Sequence, residues 1–266
     1  MKYYSLFFII IFIPVFGYTQ DSIAPDEIRN SRPGFSVSLQ AGLSPGFGHY
    51  YEDGLEEDGW MGGECAAPGI AMTINCDYRF KRSTKHNLEL TASVGYAHNN
   101  YEMSDFINEE YNSAGDGWPA SKLVTNTSST GYNTGYFSAG IKYPWYLKRF
   151  TLYFDIMAGF LVCQTPAISF TERYTPPSSD SVSWRVTQRS QTGFAYTISI
   201  GLGIEYHINK NIFVLVTGGL GVALNTINVS INSAYPSYIT NLPRNNYYSD
   251  YRIQLNNLEM GIGYEF

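Results

Sequence analysis

Apolar and polar residues alternate in eight stretches of this 266-residue chain. The most regular stretch is 194–208, in which eight apolar residues are interleaved with seven smaller or polar ones. Because neighbouring side chains of a β-strand point to opposite faces, this alternation predicts strands that each have one apolar face. The predicted strands are 35–43, 70–80, 88–96, 137–145, 150–160, 194–208, 212–224 and 251–266.

The last predicted strand changes phase near Asn256 and Asn257. Ile253 and Leu255 are odd-numbered, whereas the apolar residues from Leu258 onward are even-numbered. A β-bulge places two residues of one strand opposite one residue of its partner, so it would bring both sets to one face. We therefore predict a bulge at these two asparagines. We also predict that this strand pairs with the first one to close a barrel.

The connections between the predicted strands alternate in length. Those after the second, fourth and sixth strands are short, at 81–85, 147–149 and 209–210. Those after the first, third, fifth and seventh are long, near 45–69, 99–131, 163–192 and 226–249. An up-and-down barrel with this alternation has all its short turns at one end and all its long loops at the other, as outer-membrane barrels do.

The third long connection has a strand pattern of its own. Apolar residues alternate on both sides of the Pro- and Ser-rich stretch 175–181, at Ile168, Phe170, Val182, Trp184 and Val186. This pattern predicts a hairpin that continues the two flanking strands beyond the membrane. An exposed edge of such a hairpin could capture a partner by strand addition.

Two features indicate that the apolar face of the barrel points outward. The opposite face is mostly Gly, Ser, Thr and Ala, which fits a packed interior better than a water-facing surface rich in Lys and Glu. Aromatic residues also gather near the short turns, where a membrane-interface girdle would lie: Tyr78, Phe80, Tyr143, Trp145, Phe150, Tyr206, Tyr264 and Phe266. We therefore predict an all-β fold, an eight-stranded antiparallel up-and-down transmembrane β-barrel with short periplasmic turns and long extracellular loops.

The start of the chain has the pattern of an export signal. Lys2 precedes an apolar core at 6–16, and the small residues Gly17 and Thr19 follow. We predict a signal peptide at 1–19, a periplasmic lead at 20–33 and the barrel at 34–266. The net charge of −6 excludes nucleic acid as a partner, because no basic surface is available to bind phosphates.

The signal sequence, the eight alternating strands and the final residues YEF resemble the small outer-membrane β-barrel family. That family includes OmpA-type and OmpX-type barrels and the PorT-like, porin-like barrels of Bacteroidota. The resemblance implies the outer membrane of a Gram-negative cell, with lipid and lipopolysaccharide as neighbours. It also implies insertion by the outer-membrane assembly machinery, with Tyr264 and Phe266 as the assembly signal.

Alternation places a set of ionisable residues inside the barrel. They are Asp77, Arg79, Glu89, Lys142, Asp155, Glu205, His207, Glu259 and Glu265. Charges in a narrow interior must pair or form hydrogen bonds, so we expect a structural polar plug. A narrow conduction path is the alternative. Six acids against two bases leave a surplus that the sequence does not explain.

No catalytic motif stands out, so we expect a non-enzymatic protein without cofactor or metal. His98 with Ser104 and Asp105 downstream is a weak match to an outer-leaflet lipid-modifying enzyme, and a small-solute pore is the other alternative. Cys65 and Cys163 fall at the same end of the barrel and could form a disulfide.

The long loops hold most of the sequence that could recognise a partner. The first loop is acidic, which predicts either a solvated surface or a bridge through divalent cations to lipopolysaccharide. The second and fourth are rich in Tyr, Asn and Ser, a composition that suits recognition surfaces. We expect an envelope structural or surface-interaction protein, adhesin-like or receptor-like. Its extracellular ligand or protein partner is unidentified.

Overall fold

The computed structural model describes residues 34–45, 66–80, 88–104, 122–174, 182–234, 246–251 and 253–266. These residues form thirteen strands in two sheets. The strands are β1 (Gly34–Ser44), β2 (Gly69–Arg79), β3 (Glu89–Asn99), β4 (Lys122–Ser129), β5 (Tyr132–Leu147), β6 (Phe150–Gln164), β7 (Ile168–Tyr174), β8 (Val182–Gln188), β9 (Thr192–His207), β10 (Ile212–Ala223), β11 (Ile227–Ala234), β12 (Asn246–Tyr251) and β13 (Gln254–Glu265). Among the described residues, no helix has the length and apolar character needed to cross a bilayer. The predicted signal peptide and lead lie outside these residues.

The first sheet is a closed barrel of eight antiparallel strands in the order β1-β13-β10-β9-β6-β5-β3-β2. The seam joins β1 to β13, with Val37 opposite Tyr264 and Leu43 opposite Leu258. The predicted eight-stranded barrel and its closing pair are therefore confirmed. Closure leaves this sheet without an edge, so its backbone groups pair within the barrel.

The outer face of the barrel is apolar on every strand. Large side chains such as Leu202 and Ile262 are more than half exposed there. Near the short turns the predicted girdle residues pack in adjacent pairs, with ring centroids 4.9–5.2 Å apart: Tyr78–Phe80, Tyr143–Trp145, Phe150–Tyr206 and Tyr264–Phe266. This exposed apolar surface is what a lipid-facing wall requires.

A second aromatic belt lies toward the long-loop end of the barrel. Phe160 packs between Phe137 and Phe194, each at 5.6 Å between ring centroids, and Phe194 packs on Tyr196. From Phe137 to Trp145 on one strand is about 27 Å at ~3.4 Å per residue. With strand tilt, two girdles at this separation bracket an apolar band of the height expected for an outer-membrane barrel.

The bulge predicted in the last strand is wrong. The register of β13 against β10 is continuous, with Gly219 opposite Asn257 and Gly221 opposite Leu255. Ile253 and Leu255 therefore stay on the interior face, where they join an apolar cluster. The apparent phase change arose because the barrel interior is polar near the short turns and apolar near the long loops. The apolar residues of this strand therefore lie inside near the loops and outside elsewhere.

The second sheet is built from three of the long connections, in the order β12-β11-β8-β7-β4. It contains the hairpin β7–β8 that the alternation predicted. However, β4 pairs with β7 and β11 pairs with β8, so the hairpin does not have the exposed edges expected of it. The outer strands are instead β4 and β12. Strand β4 carries a register shift between Thr125 and Ser128, with Asn126 at a positive φ of 53°.

Candidate functional site

The barrel interior contains two ion-pair groups toward the short-turn end. In the first, Arg79 Nε lies 2.8 Å from Glu89 and its Nη1 lies 2.8 Å from Glu265. The Tyr146 hydroxyl donates to Glu89 at 2.7 Å. A guanidinium has several donors in a fixed plane, so one arginine can pair with two carboxylates at once and link β2, β3 and β13.

The second ion-pair group is centred on Lys142, which is 4% exposed. Its ammonium lies 2.9 Å from Asp77 and 2.6 Å from Glu205, and 4.0 Å from the centre of the Tyr153 ring. His207 Nε2 lies 3.5 Å from Glu205. Both carboxylates are buried, so their charge is tolerable only because the ammonium is present.

Farther from the short turns, the Glu259 carboxylate makes no ion pair with any described residue and is held by hydrogen bonds from neutral groups. The Thr73 hydroxyl donates to both oxygens of Glu259 at 2.8 and 2.9 Å. Since this hydrogen is used, the Tyr136 hydroxyl, 2.6 Å away, donates to Thr73. Asn257 Nδ2 in turn donates to Tyr136 at 2.9 Å. Alternation placed Glu259 inside, where Arg79, Lys142 or backbone donors were its expected partners; the Thr73 hydroxyl is the partner in the structure.

Three interior aromatic rings lie directly over glycines of a neighbouring strand. A Cβ on Gly95, Gly203 or Gly263 would come within 2.1–2.2 Å of the ring of Tyr136, Tyr153 or Phe213, respectively. The small residues of the polar face are therefore needed for packing, because they make room for rings that fill the lumen. A cavity of about 80 Å³ remains in the middle of the barrel, lined by Asp155, Glu259 and a mixture of polar, apolar and glycine residues.

At the long-loop end, an apolar cluster joins the barrel to the second sheet. Leu161 and Ala195 of the barrel pack with Phe170, Val186 and Ile227 of the second sheet, all with 4% exposure or less. The cluster fills the mouth of the barrel. The five-stranded sheet is therefore packed over the barrel and faces the outside.

The junction between barrel and second sheet is short and well bonded. Only residues 165–167 separate β6 from β7, and 189–191 separate β8 from β9. The Thr165 amide donates to the Gln191 carbonyl at 2.8 Å, and the Ser190 hydroxyl donates to the Thr165 carbonyl at 2.8 Å. The second sheet is thus a rigid continuation of the barrel strands, and it is the candidate interaction surface.

Two predicted constellations do not form. His98 Nδ1 lies 2.9 Å from Asn133, while Ser104 contacts Glu102, so the two are not paired with each other. Asp105 lies outside the described residues. Cys163 is a free, fully buried thiol that accepts a hydrogen bond from Thr134. The disulfide suggested for it is therefore not formed; Cys65, like the acidic first loop, lies outside the described residues.

Sequence reasoning missed the apolar cluster and three strands of the second sheet. Strands β4, β11 and β12 are rich in Asn, Ser, Thr and Tyr, so they lack the apolar–polar contrast from which strands are predicted. The alternation of inward- and outward-facing positions could have identified the interior tyrosines. Tyr136 and Tyr153 fall in the inward set of their strands, and each faces a glycine across the sheet, Gly95 and Gly203.

Comparison with known proteins finds only distant likenesses to solved structures. No protein-family model and no curated protein matches the chain. The structure of neisserial surface protein A (NspA) is 10% identical with a TM-score of 0.42, and the match covers 89% of this chain and 100% of that one. A major outer membrane protein from Thermus thermophilus is 13% identical with a TM-score of 0.43, and the match covers 88% and 100%.

The outer membrane protease OmpT from Escherichia coli also matches, with 11% identity, a TM-score of 0.37 and coverage of 93% of this chain and 99% of that one. A likeness this distant carries no argument about activity. Because one matched protein is a protease, it does not separate enzymes from non-enzymes.

The location follows from the architecture itself. In lipid every backbone polar group must be paired within the protein, which closed barrels achieve without helices. Here the barrel is closed, its exterior is apolar between two aromatic belts, and its interior is polar and charged. The protein is therefore an outer-membrane β-barrel protein.

Proposed function

We propose that this protein is a non-enzymatic surface-interaction protein of the outer membrane. The barrel anchors the chain, and the five-stranded sheet β12-β11-β8-β7-β4 contacts an extracellular protein or ligand. The observation that carries the proposal is the rigid attachment of this sheet, through three-residue junctions and a shared apolar cluster. Loops that only connect strands need no such structure, whereas a surface that recognises a partner gains from being preorganised.

Within the sheet, β12 is the strand best suited to contact a partner. It pairs with β11 on one side, and the described residues provide no strand on its other side. The opposite edge, β4, is interrupted by its register shift, which disfavours strand addition there. Tyr247, Tyr248 and Tyr251 lie in β12, and tyrosine supplies large contact area at low entropic cost.

Several related expectations belong to the same proposal. We propose export by the signal peptide at 1–19 and membership of the OmpA-type, OmpX-type or PorT-like barrels of Bacteroidota. Assembly machinery that recognises Tyr264 and Phe266 would insert the chain, and lipopolysaccharide would surround it. Both aromatic side chains are exposed on the outer face, at 45% and 72%, where such recognition is sterically possible.

The test compares cells that display the wild type with cells that display two variants. In one, residues 168–188 are replaced by a short turn; in the other, Tyr247, Tyr248 and Tyr251 are changed to Ser. Binding to immobilised extracellular proteins should fall in both variants, while the heat-dependent gel shift of a folded barrel persists. Equal binding by wild type and both variants would contradict the proposal.

Two further measurements address the rival functions. Stable single-channel openings in planar bilayers would favour a pore. A change in lipid A acylation upon deletion, restored by the wild type and not by His98→Ala, would favour a lipid-modifying enzyme.

A further inference from the structure

Two buried carboxylates remain outside the ion-pair groups of the barrel interior. Asp155 and Glu259 are 8% and 3% exposed. The two bases of the interior already pair elsewhere, Arg79 with Glu89 and Glu265, and Lys142 with Asp77 and Glu205. Asp155 lies opposite Lys142 in the β5–β6 register, but that ammonium already pairs with Asp77 and Glu205. Two further buried carboxylates are costly, so an additional positive charge would stabilise this part of the barrel.

Both carboxylates line the same cavity of about 80 Å³. The cavity exists because two glycines lie side by side on the interior wall: Gly201 is opposite Gly219 in the β9–β10 register. Asp155 is opposite Gly201, and Asn257 is opposite Gly219. The side chains of Asp155 and Asn257 therefore lie on either side of the two glycines. A Cβ on Gly219 would meet only a backbone oxygen at 3.8 Å, which shows how open the wall is.

The polar atoms around the cavity are predominantly oxygen acceptors. Asp155 Oδ1, Asn75 Oδ1 and Asn257 Oδ1 are buried and have no hydrogen-bond partner in the protein, and all three residues line the cavity. A buried acceptor without a partner is destabilising, because it loses its hydrogen bonds to water. The cavity therefore combines two negative charges with several unpaired oxygens, and none of the residues that line it is a base.

We propose that this cavity binds one hard divalent cation of the Ca²⁺ type. Asp155 and Glu259 supply the charge, and the amide oxygens of Asn75 and Asn257 supply neutral ligands. Calcium takes six to eight oxygen ligands in flexible geometry and accepts water among them. At roughly 15 Å³ per water, the cavity has room for the ion and several waters. The cation balances part of the acidic surplus of the interior.

The ligand set also separates this site from a transition-metal site. The described residues contain no group of three or more His, Cys, Asp or Glu side chains arranged to hold a metal. A site with two carboxylates and neutral oxygens fits a hard cation, whereas zinc favours nitrogen and sulfur ligands.

The test uses the full chain refolded into detergent micelles without lipopolysaccharide, either with Ca²⁺ or with a chelator. After gel filtration, elemental analysis should find one Ca²⁺ per wild-type chain. The unfolding temperature, followed by gel mobility, should rise by about 5–10 °C at saturating Ca²⁺. Asp155→Asn should lose both the bound ion and the rise. If that variant does not fold, Glu259→Gln provides the same comparison.

Two further variants serve as matched controls. Gly219→Lys places an ammonium in the cavity, so it should raise the unfolding temperature in chelator and abolish the response to Ca²⁺. Gly219→Ala adds no charge and meets no close neighbour, so it should keep the response. Glu265→Gln, in the Arg79 group, should keep it as well.

Two results would overturn the proposal. If the wild type retains no Ca²⁺ and shows no rise, the cavity holds only water beside protonated carboxyls. If Asp155→Asn and Gly219→Lys respond as the wild type does, the ion binds elsewhere, for example at the acidic first loop.

Discussion

The two ends of the barrel interior are filled in opposite ways. Toward the short turns, Arg79 and Lys142 pair across the lumen with four carboxylates of other strands. Toward the long loops, the interior is occupied by Leu161, Phe170 and other apolar side chains. The strand alternation is the same in both regions, so the pattern selects a face of the strand and does not determine what that face contains.

The difference follows from what each end must do. The interior near the short turns is surrounded by the lipid-facing wall of the barrel. Buried charges there are stable only when they pair with opposite charges. The interior near the long loops continues into the second sheet. An apolar cluster can join the two sheets there, because burying apolar side chains away from water is favourable. The ion pairs near the short turns link strands of the barrel, while the apolar cluster near the long loops attaches the second sheet.

The largest effect is expected at Lys142. In Lys142→Met the carboxylates of Asp77 and Glu205 remain buried without their counter-charge, which should lower the free energy of unfolding by about 3–5 kcal/mol. Urea titration of the refolded protein, followed by gel mobility, measures the loss. Combining this change with Asp77→Asn and Glu205→Gln should restore most of it. Lys210→Met in an exposed turn is the control, and a loss at Lys142 no larger than this control's would show that the pairs do not stabilise the barrel.

A smaller and more local effect is expected at Phe170. Phe170→Ala removes a fully buried ring from the apolar cluster, at a cost of about 3 kcal/mol or more. The second sheet should open while the barrel stays closed, so proteolysis of the outer sheet should accelerate about 100-fold. Phe170→Leu should behave nearly as the wild type. If the whole barrel instead unfolds at lower urea in step with the sheet, the two regions form a single cooperative unit.

The ring-over-glycine contacts allow the same substitution to be made in both regions. Gly203→Ala would push against Tyr153 in the charged region, and Gly95→Ala against Tyr136 in the upper region. Each should lower the free energy of unfolding by about 1–3 kcal/mol, because the lumen is already filled. Gly135→Ala has no atom within 4 Å and should be neutral in the same urea titration. A neutral Gly203→Ala would mean that the Tyr153 ring moves freely.

The smallest effect is expected at Cys163. Its thiol is fully buried, so Cys163→Ala should cost about 1 kcal/mol, against almost nothing for Cys76→Ala on the outer face. In a Cys65→Ser, Cys76→Ser background, a maleimide should label Cys163 only when the cluster is opened by Phe170→Ala. Rapid labelling of the folded protein would show that the mouth of the barrel admits solvent.

The sequence was sufficient for the barrel because membrane strands impose a strict period of two. Strand number, closing pair and facing direction all follow from that period, and residues such as Tyr264 fall where it places them. The sequence-based prediction failed at Asn256 and Asn257, where a change in the phase of the apolar residues was interpreted as a bulge. The alternation of facing direction continues through that point, and only the chemistry of the interior changes.

The sequence alone determined which residues face inward, including all nine ionisable ones. Only the tertiary structure decided how they combine: which base meets which acid, that Glu259 meets Thr73, and that two glycines open a cavity beside Asp155. It also decided that β4, β11 and β12 join the hairpin in one sheet. Facing direction is local, because it depends on the backbone period. Partner choice depends on the register between strands far apart in the chain, which the period does not contain.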